Sequence, residues 1–159
     1  VLIALALFLT FFIMAPTFTN IYELVAIPYM NGEIQTPDAL DKASKEIKSF
    51  MVTNTRETDL SMFAEISGAQ QFYSKEEIPF SIALPAFITS ELKTAFQIGF
   101  LLFLPFLVID MVVASVLMSL GMMMLSPMLR ALPFKILLFV LVDGWSMTVG
   151  SLVSTYIVQ

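Results

Sequence analysis

From Thr94 to Leu129 the chain runs 36 residues with a single charged side chain, Asp110, and a second apolar run begins at Phe134 with Lys135 near its start. An ionised group at the middle of a bilayer costs about 2.5–3.5 kcal/mol on insertion scales, so such residues face a protein interior and take a partner. Two opposite charges set in apolar sequence therefore predict one piece of a larger intramembrane assembly. Composition agrees. The chain is 58% hydrophobic and 13% charged, whereas soluble domains carry roughly 45–50% apolar and about 25% charged residues.

Several function classes fall away on residue types alone. There is no cysteine and no histidine, which removes disulfides, thiolate chemistry and the Ser-His and Cys-His nucleophilic arrangements, and leaves too few ligand types for zinc. The reading is of a protein that is not an enzyme, with no catalytic residues, no cofactor and no metal. A formal charge of −5 argues against nucleic acid, whose binding calls for clustered Lys and Arg. The charge is also unevenly spread: of 21 charged residues, 14 lie between Met30 and Phe80, and that stretch is the part that faces water.

Four segments follow. Residues 1–29 form an apolar helix, helical to about residue 26 and kinked or opened at Pro16, where the ring removes a helical hydrogen bond. The run is already under way at Val1, with no Met and no basic n-region, so the start is expected to follow processing, truncation or disorder. Residues 30–84 form a small, water-facing helical segment. Asn31-Gly32 marks a turn, Thr36-Pro37-Asp38 reads as a helix start with Thr36 as cap, and Leu40, Ala43, Ile47, Phe50 and Met51 recur at helical spacing. A second amphipathic stretch, Thr58 to Ala69, places Leu60, Phe63, Ala64 and Ser67 along one stripe, and Gly68 to Pro79 reads as a loop. Residues 85–130 form a long apolar helix, with Thr94 to Leu129 about 54 Å long if straight, expected to bend at Pro105 and at Gly121 to Pro127. Residues 131–159 form the final apolar helix, and Thr94 to Val158 makes a helical hairpin.

Asp110 and Lys135 lie on opposite arms of that hairpin. With the turn near Met122 to Met124 they sit at comparable depth, so a direct pair is geometrically reasonable; the alternative has Lys135 snorkelling to headgroups and Asp110 facing water. Gly121-Met122-Met123-Met124 puts three consecutive thioethers together. Neighbours on a helix point about 100° apart, so the three are better presented from a turn, as a soft, deformable seal, or else they are ordinary apolar filler. Asp143-Gly144-Trp145 places a second carboxylate in the last apolar run. Paired intramembrane aspartates suggest a protease, yet Leu141 and Val142 stand where the Gly-x-Gly-Asp pattern needs glycine, and Asp143 reads instead as a hydrogen-bond acceptor toward a neighbouring helix or subunit. Glu91 and Lys93 stand at the mouth of the long run, as a solvated helix start or a subunit contact.

Two stretches, PAFITSELKTAFQIGF (Pro85 to Phe100) and LPFKILLFVLVDGW (Leu132 to Trp145), resemble the FliP family of flagellar type III export-gate proteins, the family it shares with the injectisome component SctR. Leu104 to Leu125 and Ala6 to Tyr22 resemble it as well, so the likeness covers nearly the whole chain. It implies an all-α, membrane-associated fold of helical hairpins, in a ring-like or helical stack of like and unlike subunits, with a small helical extracytoplasmic segment. It also implies a core gate subunit through which unfolded flagellar subunits pass. Partners would be other copies of itself, FliQ, FliR and FlhB, and the location the bacterial inner membrane at the flagellar basal body, with a periplasmic segment. Met122, Met123 and Met124 match the family's pore gasket, Asp110 and Lys135 its buried charge pair, and Glu91 and Asp143 would serve subunit contact or structure. Family members begin with a signal peptide and a further apolar helix that do not precede Val1 here. Two rival expectations stand beside the gate: a homologous subunit of a virulence injectisome, and an ion- or proton-coupled transporter subunit using Asp110 and Asp143 as protonatable sites.

Overall fold

The computed structural model describes residues 1–69, 72, 74–119, 135–139 and 143–156. Among them there are helices and turns and no strand. The elements are α1 (Leu2–Ile21), a π-helical segment (Tyr22–Ala26), α2 (Ile27–Met30), α3 (Thr36–Thr53), α4 (Glu57–Ile66), a 3-10 turn (Lys75–Glu77), α5 (Phe80–Ser119), helical residues 135–139 (α6) and α7 (Gly144–Ser154). They divide into two compact units, Val1–Lys93 with Thr155–Gln159, and Thr94–Ser154.

α1 is apolar all round and none of its residues is buried, the pattern of a helix covered by lipid or by partners. It continues through Pro16. A register irregularity follows further on, where Ile27 donates its N–H to the Tyr22 carbonyl five residues back. Pro28 is the cause: it has no N–H to give the Leu24 carbonyl in α register, and the wider turn accommodates the gap. The segment packs on α3 and buries Val25.

Asn31-Gly32 forms the expected turn. Gly32 has φ +76°, its N–H donates to Tyr29 and that of Glu33 to Pro28, which is a Schellman closure needing a left-handed residue that glycine adopts without strain. α4 ends the same way at Gly68, with φ +71° and bonds from Gly68 to Glu65 and from Ala69 to Ala64. The start of α3 differs by one residue from expectation. Gln35 is the cap, and the Thr36 hydroxyl shares a hydrogen bond of 3.2 Å with the Tyr29 hydroxyl instead of capping.

The core of the first unit joins the end of α3 to the start of α5: Met51, Val52, Ile78, Ile82 and Ala83 are buried, with Phe50, Leu60, Phe63, Phe72 and Phe87 packed against them. Of the stripe read along α3, Met51 is buried at the C-terminal end, and Ala39 is buried near the start. Leu40 remains 66% exposed. α5 stays helical through Pro105, where a bend was expected; apolar surroundings tolerate an internal proline where neighbours satisfy the freed backbone. Gly121 to Pro127, the other expected bend, lies outside the described residues.

Candidate functional site

In the second unit the Lys135 ammonium lies 2.9 Å from Asp110 Oδ2, with the lysine side chain 20% and the aspartate 29% exposed. Four residues back along α5, Phe106 meets Phe139, four residues on from Lys135, at a ring separation of 6.4 Å. Stepping down one arm steps up the other, so α5 and α6 run antiparallel here. Asp110 Oδ1 is buried and has no hydrogen-bond partner among the described residues. The carboxylate therefore has one oxygen compensated by a cation and one not, which matters most where the surroundings are apolar.

Beyond the ion pair the Phe106–Phe139 contact joins the two arms, and a second ring contact lies within the latter arm. Trp145 stands edge-on to Phe139 at 5.2 Å, a preferred geometry for ring quadrupoles. Gly144 between them is buried, and a Cβ at that position would overlap the Phe139 ring. Asp143 precedes it with φ +52°, a left-handed conformation that aspartate tolerates better than most residues. Its carbonyl accepts the Met147 N–H and starts α7, while the residue itself is exposed.

Glu91 belongs to the first unit, where it accepts a hydrogen bond from the Tyr156 hydroxyl. Tyr156 stacks on Phe50 at 6.1 Å and 8°. Lys93, beside Glu91 in sequence, ion-pairs with Asp59, which is 1% exposed. Arg56 donates to Ser90, also 1% exposed. Glu91 and Lys93 stand out in the sequence as charges at the mouth of an apolar run, with Ser90 and Glu91 suited to a first turn, whereas Arg56, Asp59 and Tyr156 carry no such mark. Asp59 looks like any acid in the first turn of a helix, and its partner lies 34 residues away.

Met122, Met123 and Met124 lie outside the described residues. No group of three or more metal-ligating side chains occurs among those described. A cavity of about 590 Å³ in the first unit is lined by Leu60, Ala64, Phe72 and Ile78 together with Glu57, Ser61, Glu65, Ser74 and Lys75.

Among the described residues, two helical stretches, Leu2–Met30 and Phe80–Val116, are long and apolar enough to cross a membrane. The FliP family profile matches residues 1–152. The chain is 62% identical to "Flagellar biosynthetic protein FliP" of Cereibacter sphaeroides, over 98% of this chain and 52% of that protein. It is 56% identical to the protein of the same name in Bacillus subtilis, over 98% of this chain and 71% of the relative. The Pectobacterium carotovorum FliP is 49% identical over 98% of this chain and 60% of its own length. The chain thus spans between about half and seven-tenths of these relatives. An all-helical chain with two long apolar helices and a family match over all but its last seven residues belongs to the FliP family.

Proposed function

We propose that this chain is part of a core subunit of the flagellar type III protein export gate, a non-enzymatic, protein-conducting element for unfolded flagellar subunits. The observation that carries the reading is the family match over residues 1–152, and the relatives' shared name, flagellar biosynthetic protein, favours the flagellar system over a virulence injectisome. The transporter reading has less support, because Asp110 already holds Lys135 and Asp143 sits exposed at a helix start.

In this reading residues 1–29, 85–130 and 131–159 are apolar helices in the inner membrane or in a stack upon it, and residues 30–84 face the periplasm. The exposed apolar faces of α1 and α5 are covered by other copies, by FliQ and FliR, with FlhB alongside. Met122, Met123 and Met124 form the deformable seal of the closed pore, since unbranched thioethers adapt to whatever they close on. Asp110 and Lys135 hold the arms that carry that seal, and Glu91 and Asp143 serve contacts within or between subunits. The test is to convert Met122, Met123 and Met124 together to alanine in the full protein and measure leakage of small ions across the assembled gate. Leakage should rise several-fold with assembly intact. Permeability at the wild-type level would overturn the sealing role.

A further inference from the structure

Two ties join the N-terminal end of α4 to α5, and both span 34 residues: Arg56 to Ser90 and Asp59 to Lys93. Both ties hold the start of α4 at Ser90 and Lys93, while Leu60 and Phe63 further along α4 pack against the cluster that contains Ile78, Ile82 and Ala83 near the start of α5. Arg56 Nη1 donates to the Ser90 carbonyl at 2.6 Å and to its hydroxyl at 3.1 Å, while the Arg56 backbone N–H reaches the same hydroxyl at 3.2 Å. Asp59 takes the Lys93 ammonium on Oδ1, and Oδ2 is buried with no hydrogen-bond partner among the described residues.

A buried carboxylate with one oxygen uncompensated is a poor source of stability. Apolar residues of similar volume in place of a buried ion pair often leave a protein as stable or more so. What such a pair does supply is selection between alignments that apolar packing leaves nearly equal. α5 offers that ambiguity. Its covered stripe here is Ala83, Ala86 and Ser90, each at most 1% exposed, small residues along which a neighbouring helix slides with little change of shape. α4 answers with only Leu60 and Phe63 against the core. A slip of one turn, about 5.4 Å, exchanges small residue for small residue, yet it sets Asp59 level with Ser90 or Gln97 in place of Lys93, and Arg56 level with Phe87 or Thr94.

We infer that the Asp59–Lys93 ion pair, seconded by Arg56 on Ser90, is a register lock that fixes the axial alignment of α4 on α5. The lock acts within the first unit and does not depend on the export-gate reading. Cysteine is absent from the chain, so nitroxides placed at Glu65→Cys and Leu92→Cys, both exposed positions, report the α4–α5 distance without a background. The measurement uses the full protein in detergent, diluted with unlabelled copies so that only distances within one chain are read. The parent pair should give one narrow distance. Adding Asp59→Leu with Lys93→Met should split or broaden it by roughly 5 Å, one turn, while helical content and melting temperature hold. Lys93→Arg, which keeps the charge, should return the single distance. A single narrow distance in the Leu/Met variant would overturn the lock, as would unfolding of that variant, which would make the pair a source of stability, or a split distance in the arginine variant.

Discussion

Asp110 and Lys135 share one hydrogen-bonded contact of 2.9 Å in the least charged part of the chain, and each is the other's compensation. Removing one strands the other, so Asp110→Asn and Lys135→Met should each lower the unfolding midpoint in detergent. The double variant should recover most of that loss, with a coupling on the order of 1–3 kcal/mol in a double-mutant cycle. Purely additive losses would mean that the two charges act apart. These residues were legible because each is a lone charge against an apolar background, where the desolvation cost itself demands a partner. Asp59 was not. It sits in a charged, amphipathic stretch where solvation is the ordinary expectation, and only its 1% exposure gives it away. Gly144 carried no such mark, since what makes its small size matter is the Phe139 ring that a Cβ there would overlap.

At the scale of elements, the sequence marks ends better than interiors. Gly32 and Gly68 close their helices with the same pair of backbone bonds, and Asn31-Gly32 was readable because a left-handed residue leaves a compositional trace. Pro16 and Pro105 suggested bends, yet α1 and α5 stay helical through both; whether a proline breaks a helix depends on what its surroundings do for the freed carbonyl, which no local pattern records. The π-helical segment at Tyr22–Ala26 is the converse case, an irregularity a few residues before the proline that causes it. Pro28→Ala restores the N–H for Leu24 and should let the α register run on, turning Val25 out of its contact with α3. A cysteine at position 25 should then react several-fold faster with a water-soluble maleimide than in the Pro28 parent. Equal rates would place the cause of the wide turn elsewhere.

For the molecule as a whole, the decisive property is how much apolar side chain is left uncovered. Phe8, Phe11 and Phe12 of α1 and Phe96, Phe100 and Leu101 of α5 are each more than 60% exposed. A chain with such faces requires lipid or protein around them. Membranes from expressing cells, washed with alkaline carbonate, should retain the protein in the pellet until detergent is added; release by carbonate alone would show that the faces are covered by something water-soluble. All-helical architecture and membrane association were readable from hydropathy and spacing. The division into two units was not, because it is drawn by contacts between residues distant in sequence, such as Phe50 with Tyr156.

The order of synthesis gives the Asp110–Lys135 contact a further meaning. The carboxylate leaves the ribosome 25 residues before the ammonium that neutralises it, so for that interval the first arm carries an uncompensated charge. Burial of the first arm must wait for the second, and the two are committed to enter apolar surroundings together.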